Sequence, residues 1–229
     1  MLRFEDAVVR QGGFSLSADF AVGPGCVAVM GPSGAGKSTL LGALAGFAPL
    51  QAGQITWLGQ RIDRLDPADR PLSMLFQDNN LLPHLSAFDN VALGISPALR
   101  LDAGQRKAVI AALEEVGIAD LAARKPAQLS GGQAGRVALA RVLLRRRPIL
   151  ALDEPFAALG PALKRAMLDL VASLARREGT TVLMVSHDPA DALRICPETI
   201  VVAEGKAGGP HPTGALLASP PAALADYLG

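Results

Sequence analysis

The residues with the densest chemistry are Gly31-Pro32-Ser33-Gly34-Ala35-Gly36-Lys37-Ser38-Thr39. They fit G-x-x-x-x-G-K-[ST], a loop that wraps a nucleoside triphosphate. Glycines let several backbone N–H groups point at one phosphate, with no Cβ in the way. A helix starting there adds partial positive charge. Lys37 reaches toward the β- and γ-phosphates, and the Ser38 hydroxyl suits Mg²⁺. A second group is Asp153-Glu154, two carboxylates closing the apolar run Ile149-Leu150-Ala151-Leu152. Parallel strands deliver functional groups from their carboxyl ends. Asp153 is placed to hold Mg²⁺, and Glu154 to act as general base toward water. A third group is Leu129-Ser130-Gly131-Gly132-Gln133. A Ser helix cap followed by two glycines makes another anion site. One nucleotide seldom needs two such loops in one chain, so the economical reading is that this loop serves a phosphate bound by another copy.

These groups need elements to hold them. Val27 to Met30 reads as a buried strand entering the phosphate loop, and Lys37 to Ala45 as a helix with Leu40, Leu41 and Leu44 inward. Strands are also expected at Leu2 to Val9, Phe14 to Phe20, Gln54 to Leu58, Leu72 to Phe76, Thr180 to Val185 and Thr199 to Ala203. From Asp78 to about Arg136 the strand signal fades. Short helices are expected at Ser86 to Leu93, Ala103 to Val116 and Asp120 to Arg124, then a long one from Gly131 to Leu144. Pro161 to Arg177 is amphipathic, with Pro161 at its first position and Gly179 at its stop. Pro189 to Ile195 and Ala222 to Leu228 complete the helices. The expected fold is α/β: a phosphate-loop core with a mostly parallel sheet, an N-terminal antiparallel portion and a helical insertion. The chain reads as one domain, 1–229, with its core at about 1–77 and 137–229 and a helical subdomain at about 78–136.

Bulk properties bound the function. A chain of 229 residues can bury a sizeable core. Lys plus Arg is 22 against 21 for Asp plus Glu, which argues against a nucleic-acid partner. Arg145-Arg146-Arg147 reads as a solvated helix end. Cys26 and Cys196 lack metal-ligand spacing and read as reduced packing residues. No apolar run approaches the ~20 residues of a membrane span. Met1 to Asp6 lacks a signal-peptide layout, so the expected place is the cytosol.

The ordered set of motifs resembles the ATP-binding cassette family, the motor subunits of ABC transporters. The elements are the phosphate loop, Gln77, the Leu129–Gln133 signature, Asp153-Glu154 and His187. The resemblance implies ATP and Mg²⁺ as cofactors. It implies that Gln77 joins Ser38 and Asp153 around the metal, and that His187 contacts the γ-phosphate and orients water and Glu154. It implies a head-to-tail homodimer, with each ATP between one phosphate loop and the other copy's signature. It also implies an integral membrane permease, a periplasmic substrate-binding protein reached indirectly, and a place on the cytoplasmic face of a bacterial inner membrane. Phe76 through Leu85, with its Asn79-Asn80 pair, and the following Asn90 to Leu101 are similar to the ATPase subunits of bacterial thiamine importers. Another small solute is the alternative. DNA-maintenance ATPases share the signature but need a long coiled coil, and the 78–128 interval is too short and lacks heptads. A non-hydrolysing gated module is disfavoured by Glu154 and His187.

Three departures from the family pattern stand out. Gly160 sits where Asp is usual after the Glu154 loop. Ala134-Gly135 follow the signature, and Gly should weaken that helix start by roughly 1 kcal/mol relative to Ala. The aromatic that stacks on adenine is not evident; Phe14 is the nearest candidate, with a core role as the other reading.

Overall fold

The computed structural model describes residues 1–228 of the 229. The strands are β1 (Leu2–Gln11), β2 (Phe14–Val22), β3 (Gly25–Met30), β4 (Leu50–Trp57), β5 (Gln60–Arg61), β6 (Leu72–Leu75), β7 (Ile149–Asp153), β8 (Thr181–Val185), β9 (Glu198–Ala203) and β10 (Lys206–Pro212). The helices are α1 (Lys37–Ala45), α2 (Ala87–Ala92), α3 (Ala103–Glu115), α4 (Gly131–Leu144), α5 (Pro161–Glu178), α6 (Pro189–Ile195), α7 (Thr213–Ala218) and α8 (Ala222–Leu228). One sheet runs β5-β4-β1-β2-β10-β9-β3-β8-β7-β6. Strands β9, β3, β8, β7 and β6 are parallel to one another. Strands β1, β2 and β4 pair antiparallel.

The parallel strands are mostly apolar because both faces are covered, with Ser73, Asp153, Thr181, Glu198 and Thr199 as the polar exceptions. Alternate residues point to opposite faces. Cys26, Ala28 and Met30 of β3 enter the core that α3, α4, α5 and α6 cover. Val27 and Val29 enter the core shared with α1 and the antiparallel strands. Strands β7 and β8 divide the same way: Leu150, Leu152, Val182 and Met184 on one face, Ile149, Ala151, Leu183 and Val185 on the other. Helix α1 inserts Leu40, Leu41 and Leu44 into the second core, as their spacing requires. Between β6 and β7 the described backbone is helical, α2 through α4. Val109, Leu113 and Val116, which recur at helical spacing in the sequence, are all buried.

Buried polar groups hold the connections. Arg70 is buried and caps the C-terminal end of α1, donating to the Ala43 and Leu44 carbonyls at 2.7 Å each. Positive charge at that end also suits the helix dipole. Asn90 on α2 is fully buried, donates to the Leu82, Leu85 and Ser86 carbonyls and accepts from Leu82 N–H. It thereby fixes the loop leading into α2.

Two regions differ from the sequence expectation. Residues 119–121 form a single 3-10 turn where a helix over Asp120 to Arg124 was expected. The stretch after Gly205 holds β10 and α7, neither of which its Gly- and Pro-rich composition suggests. Strand β10 pairs antiparallel with β9 and parallel with β2, and so joins the two portions of the sheet. Both cysteines are free and buried, as expected. Burial pushes the Cys26 thiol up to about 11 and the Cys196 thiol higher still.

Candidate functional site

The phosphate loop leaves β3 through Gly31. A Cβ there would sit 1.9 Å from the Val202 carbonyl oxygen, so only glycine allows β9 to pass this close. Gly36 has φ +106, in the left-handed region, and is the N-cap of α1. No side chain caps this helix, so the loop's N–H groups keep their capacity for an anion. The Phe14 ring lies against Gly36, 2.7 Å from where a Cβ would stand. Phe14 is partly buried against the core beneath the loop.

Lys37 is buried, and its Nζ donates to the Gly31 and Pro32 carbonyls at 2.7 and 2.8 Å. Burial lowers its pKa, while the Glu154 and Asp153 carboxylates oppose that shift. Asp153 ends β7 and is buried. Burial raises its pKa, opposed by the Ser38 hydroxyl, which hydrogen-bonds its carboxylate; neighbouring Glu154 adds to the rise. Glu154 has φ +48, a left-handed value uncommon for a residue with a side chain. Such backbone conformations store strain and cluster at functional sites. The turn aims Glu154 away from β7 and toward His187, whose Nε2 meets Glu154 Oε1 in a short contact. Ser33, Gly34, Gly36, Lys37, Ser38, Thr39, Gln77, Glu154 and His187 line one cleft of about 410 Å³. Gln77 arrives from the end of β6 and is exposed there.

The signature lies elsewhere, and none of its residues lines this cleft. Ser130 caps α4 through a reciprocal box: its Oγ accepts from Gln133 N–H at 3.3 Å, and Gln133 Oε1 accepts from Ser130 N–H at 2.9 Å. This cap offsets the expected weakness at Ala134-Gly135, and α4 runs unbroken. A Cβ at Gly135 would meet Asn79 Oδ1 at 3.5 Å, an ordinary contact, so the packing there does not itself demand glycine. Gly132 faces Leu159, so the loop after Glu154 touches the signature of the same chain. Gly160 caps α5 without a side-chain bond.

Two further residues support the site and are invisible in local sequence. Arg141 on α4 donates to the Asn79 and Asn80 carbonyls at 2.9 Å each, pinning the turn after Gln77. Both asparagines have positive φ, at 59° and 45°. Lys164 on α5 bridges Asp188 and Asp191 at 2.8 Å each, next to His187. Burial would lower the Lys164 pKa, but its hydrogen bonds to Asp188 and Asp191 outweigh that and raise it. The Lys164 bond also holds the Asp188 carboxyl below its usual range. Ser186 Oγ donates to Asp191 at 2.7 Å, which closes the network under the histidine. The signals available in sequence were only a Lys and two Asp at unrelated positions.

A buried parallel sheet, a phosphate loop between β3 and α1, and an acid pair at the end of β7, separated from β3 by β8 alone, define a phosphate-loop nucleotide-binding cassette. The ABC transporter family matches residues 17–157, and the chain belongs to that family. The chain is 57% identical, over the full length of both chains, to the "Thiamine import ATP-binding protein ThiQ" of Cereibacter sphaeroides. It is 56% identical over the same span to the protein of that name from Ruegeria sp.. It is 48% identical to that from Brucella suis, over all of this chain and 95% of the relative. Among solved structures, a dimeric ATP-binding cassette in a post-hydrolysis state bound to ADP and Pi superposes with a TM-score of 0.83. The two are 27% identical, over 93% of this chain and 99% of that one.

Proposed function

We propose that this chain is the ATP-hydrolysing subunit of a bacterial thiamine importer. The observation that carries the substrate is the full-length likeness to relatives named for thiamine import. The cleft supports the chemistry. The phosphate loop and Lys37 would hold the triphosphate. The donors at the γ-phosphate end, Ser38, Gln77 and Asp153, are oxygen ligands of the kind Mg²⁺ selects. Burial alone would drive Asp153 toward its neutral form, so a cation there would restore its charge. The residues present therefore fit the metal, which when bound would supply charge stabilisation to the phosphate oxygens. Glu154 would take a proton from the attacking water, and His187 would hold Glu154 and the γ-phosphate in register.

The signature at 129–133, exposed at Ser130 and Gly131, lies outside its own chain's cleft, which supports a head-to-tail homodimer with composite sites. Residues 78–136 would form a helical subdomain that contacts a membrane permease. No helix among the described residues is long and apolar enough to cross a membrane. The reading accordingly places the chain on the cytoplasmic face of the inner membrane through that permease, with a periplasmic binding protein delivering substrate. The adenine base has a candidate neighbour in Phe14, beside Gly36.

The test is uptake of labelled thiamine in cells whose only copy is wild type or Glu154→Gln at matched expression, with unlabelled vitamins as competitors. Uptake lost in the variant, and competed by thiamine and its phosphates but by no other vitamin, is the expected result. Equal uptake in both strains removes either thiamine import or the role of Glu154. Hydrolysis by the purified chain decides which: unchanged turnover in Glu154→Gln condemns the assigned base.

A further inference from the structure

A second cavity, of about 310 Å³, lies on the face of the sheet covered by α3, α4 and α5. It shares no lining residue with the phosphate cleft. It also sits at the other end of β7, at Leu150, where the cleft uses Glu154 after the strand's last residue, Asp153. Its floor is one cross-strand row: Ser73 of β6 is in register with Leu150 of β7, and Leu150 with Val182 of β8. Its walls are apolar, with Ala108, Ala111 and Ala112 from α3 facing Val171, Leu174 and Ala175 from α5. One floor residue breaks that character. Ser73 is 2% exposed, and its Oγ is buried with no hydrogen-bond partner among the described residues. A buried hydroxyl left unsatisfied is destabilising, so its presence on an apolar floor calls for a partner that enters the cavity.

The mouth is charged. After α4, Arg146 turns with φ +49 and brings Arg146 and Arg147 to the rim. Arg177, Glu115 and Glu178 complete it. Arg177 is engaged by both acids, at 4.0 Å from Glu115 and 3.1 Å from Glu178. That guanidinium offsets one of the two carboxylates. Arg146 and Arg147 outweigh the other carboxylate, so three arginines against two glutamates leave the rim a net charge of +1, although Arg147 also makes a long 3.4 Å bond to the Ala68 carbonyl.

We propose that this cavity is a binding site for a small amphiphilic anion. The ligand class has an apolar body, a carboxylate at the mouth against Arg146 and Arg147, and a hydroxyl or similar hydrogen-bonding atom reaching Ser73. The volume is at the low end of ligand-sized clefts, about 300–1,000 Å³, and suits one short chain rather than a two-chain lipid. Helix α3 lies in the helical stretch and α5 in the sheet-bearing core, so such a ligand would bridge the two. The inference does not depend on the transported solute or on nucleotide.

The test is calorimetric titration of the full chain, without ATP, with ω-hydroxyoctanoate, octanoate and octylammonium. The wild type should bind ω-hydroxyoctanoate at one site and bind octylammonium at least tenfold more weakly. Joint Arg146→Ala and Arg147→Ala substitution should weaken ω-hydroxyoctanoate about tenfold. Ser73→Ala should weaken it about fivefold, to the level of octanoate, while leaving the thermal midpoint equal or higher, because an unsatisfied buried group is removed. Ala111→Phe, at an exposed position of α3, should fill the cavity and abolish binding with basal ATP hydrolysis unchanged. Alanine-methyl spectra of the wild-type chain give a readout that needs no variant: the methyls of Ala108, Ala111, Ala112 and Ala175 should shift on titration. The proposal is overturned by absence of binding at millimolar probe, by equal affinity for octylammonium, by binding that survives Ala111→Phe, or by a lowered midpoint in Ser73→Ala.

Discussion

Helix α1 starts at Gly36 with no side-chain cap, whereas helix α4 starts at Ser130 with a reciprocal capping box. The first follows a glycine-rich turn and the second opens on Gly131-Gly132, and both present an N-terminus suited to an anion. Around the first, the chain supplies Lys37, Gln77, Glu154 and His187. Around the second, Ser130 and Gly131 face solvent. The uncapped end keeps its donors for a ligand held mainly by its own chain. The capped end is stable without a ligand, as the proposed composite site with a second copy requires. The contrast teaches that one motif type can make either a whole site or half of one, depending on what the fold gathers around it.

The strongest way to break the contrast is Lys37→Met. It should abolish ATP binding, measured by titration of a fluorescent analogue, because Lys37 is the only Lys or Arg that lines the cleft among the described residues. Retained affinity within threefold would mean the loop backbone alone suffices. Ser130→Arg attacks the other half. It should leave monomer ATP binding within twofold and eliminate ATP-dependent dimerisation, read by light scattering with a Glu154→Gln background to slow turnover. Loss of binding in the monomer would show that the two ends are not separable as proposed.

A smaller effect sharpens how the first site is assembled. Lys164→Met should lower kcat about tenfold with KM for ATP little changed, since Lys164 touches Asp188 and Asp191 rather than the cleft. Its pH behaviour separates positioning from general instability. Asp188 is held low by Lys164, so its contribution is present above the ordinary aspartate value of about 4 and is lost as pH falls through its lowered value. Lys164 is raised, so its contribution is present below about 10 and is lost above its raised value. The gap in thermal midpoint between wild type and variant should be widest near neutral pH and close at both extremes. A pH-independent gap would count against the ion-pair explanation. The smallest effect is Gly160→Asp. The backbone there, φ −65° and ψ 157°, accepts any residue, and a Cβ meets nothing within 4 Å. An aspartate cap on α5 should add only a few tenths of a kcal/mol, seen as a slight rise in midpoint. A fall would show that Gly160 is required by its surroundings.

Much of this was legible in advance because the signals are short. The phosphate loop, the capped start of α4 and the acid pair ending β7 each occupy less than ten consecutive residues. Strand β10 was not legible, since Gly208, Gly209 and Pro210 carry no strand propensity; it exists because Lys206 to Gly208 and His211-Pro212 pair with β9, and Lys206-Ala207 with β2, on either side of an irregularity at 209–210. Arg141 and Lys164 were equally hidden. Arg141 meets backbone 61 and 62 residues away, and Lys164 meets a carboxylate 24 residues away. Arg146 and Arg147 read as a solvated helix end, yet they border a cavity whose floor comes from three separate strands.

The sequence by itself determined the local conformations: which turns need glycine, which helices start with a cap, and which runs are apolar enough to be buried. These follow from sterics and hydrogen bonding within a turn or two of the chain. Only the tertiary structure decided that the Val202 carbonyl would press on Gly31 and that Gln77 and His187 would meet at one loop. It alone decided that Ser73 would lie beside Leu150 and Val182 under an apolar wall. Those outcomes depend on strand order and register, which are set by packing between segments far apart in the chain.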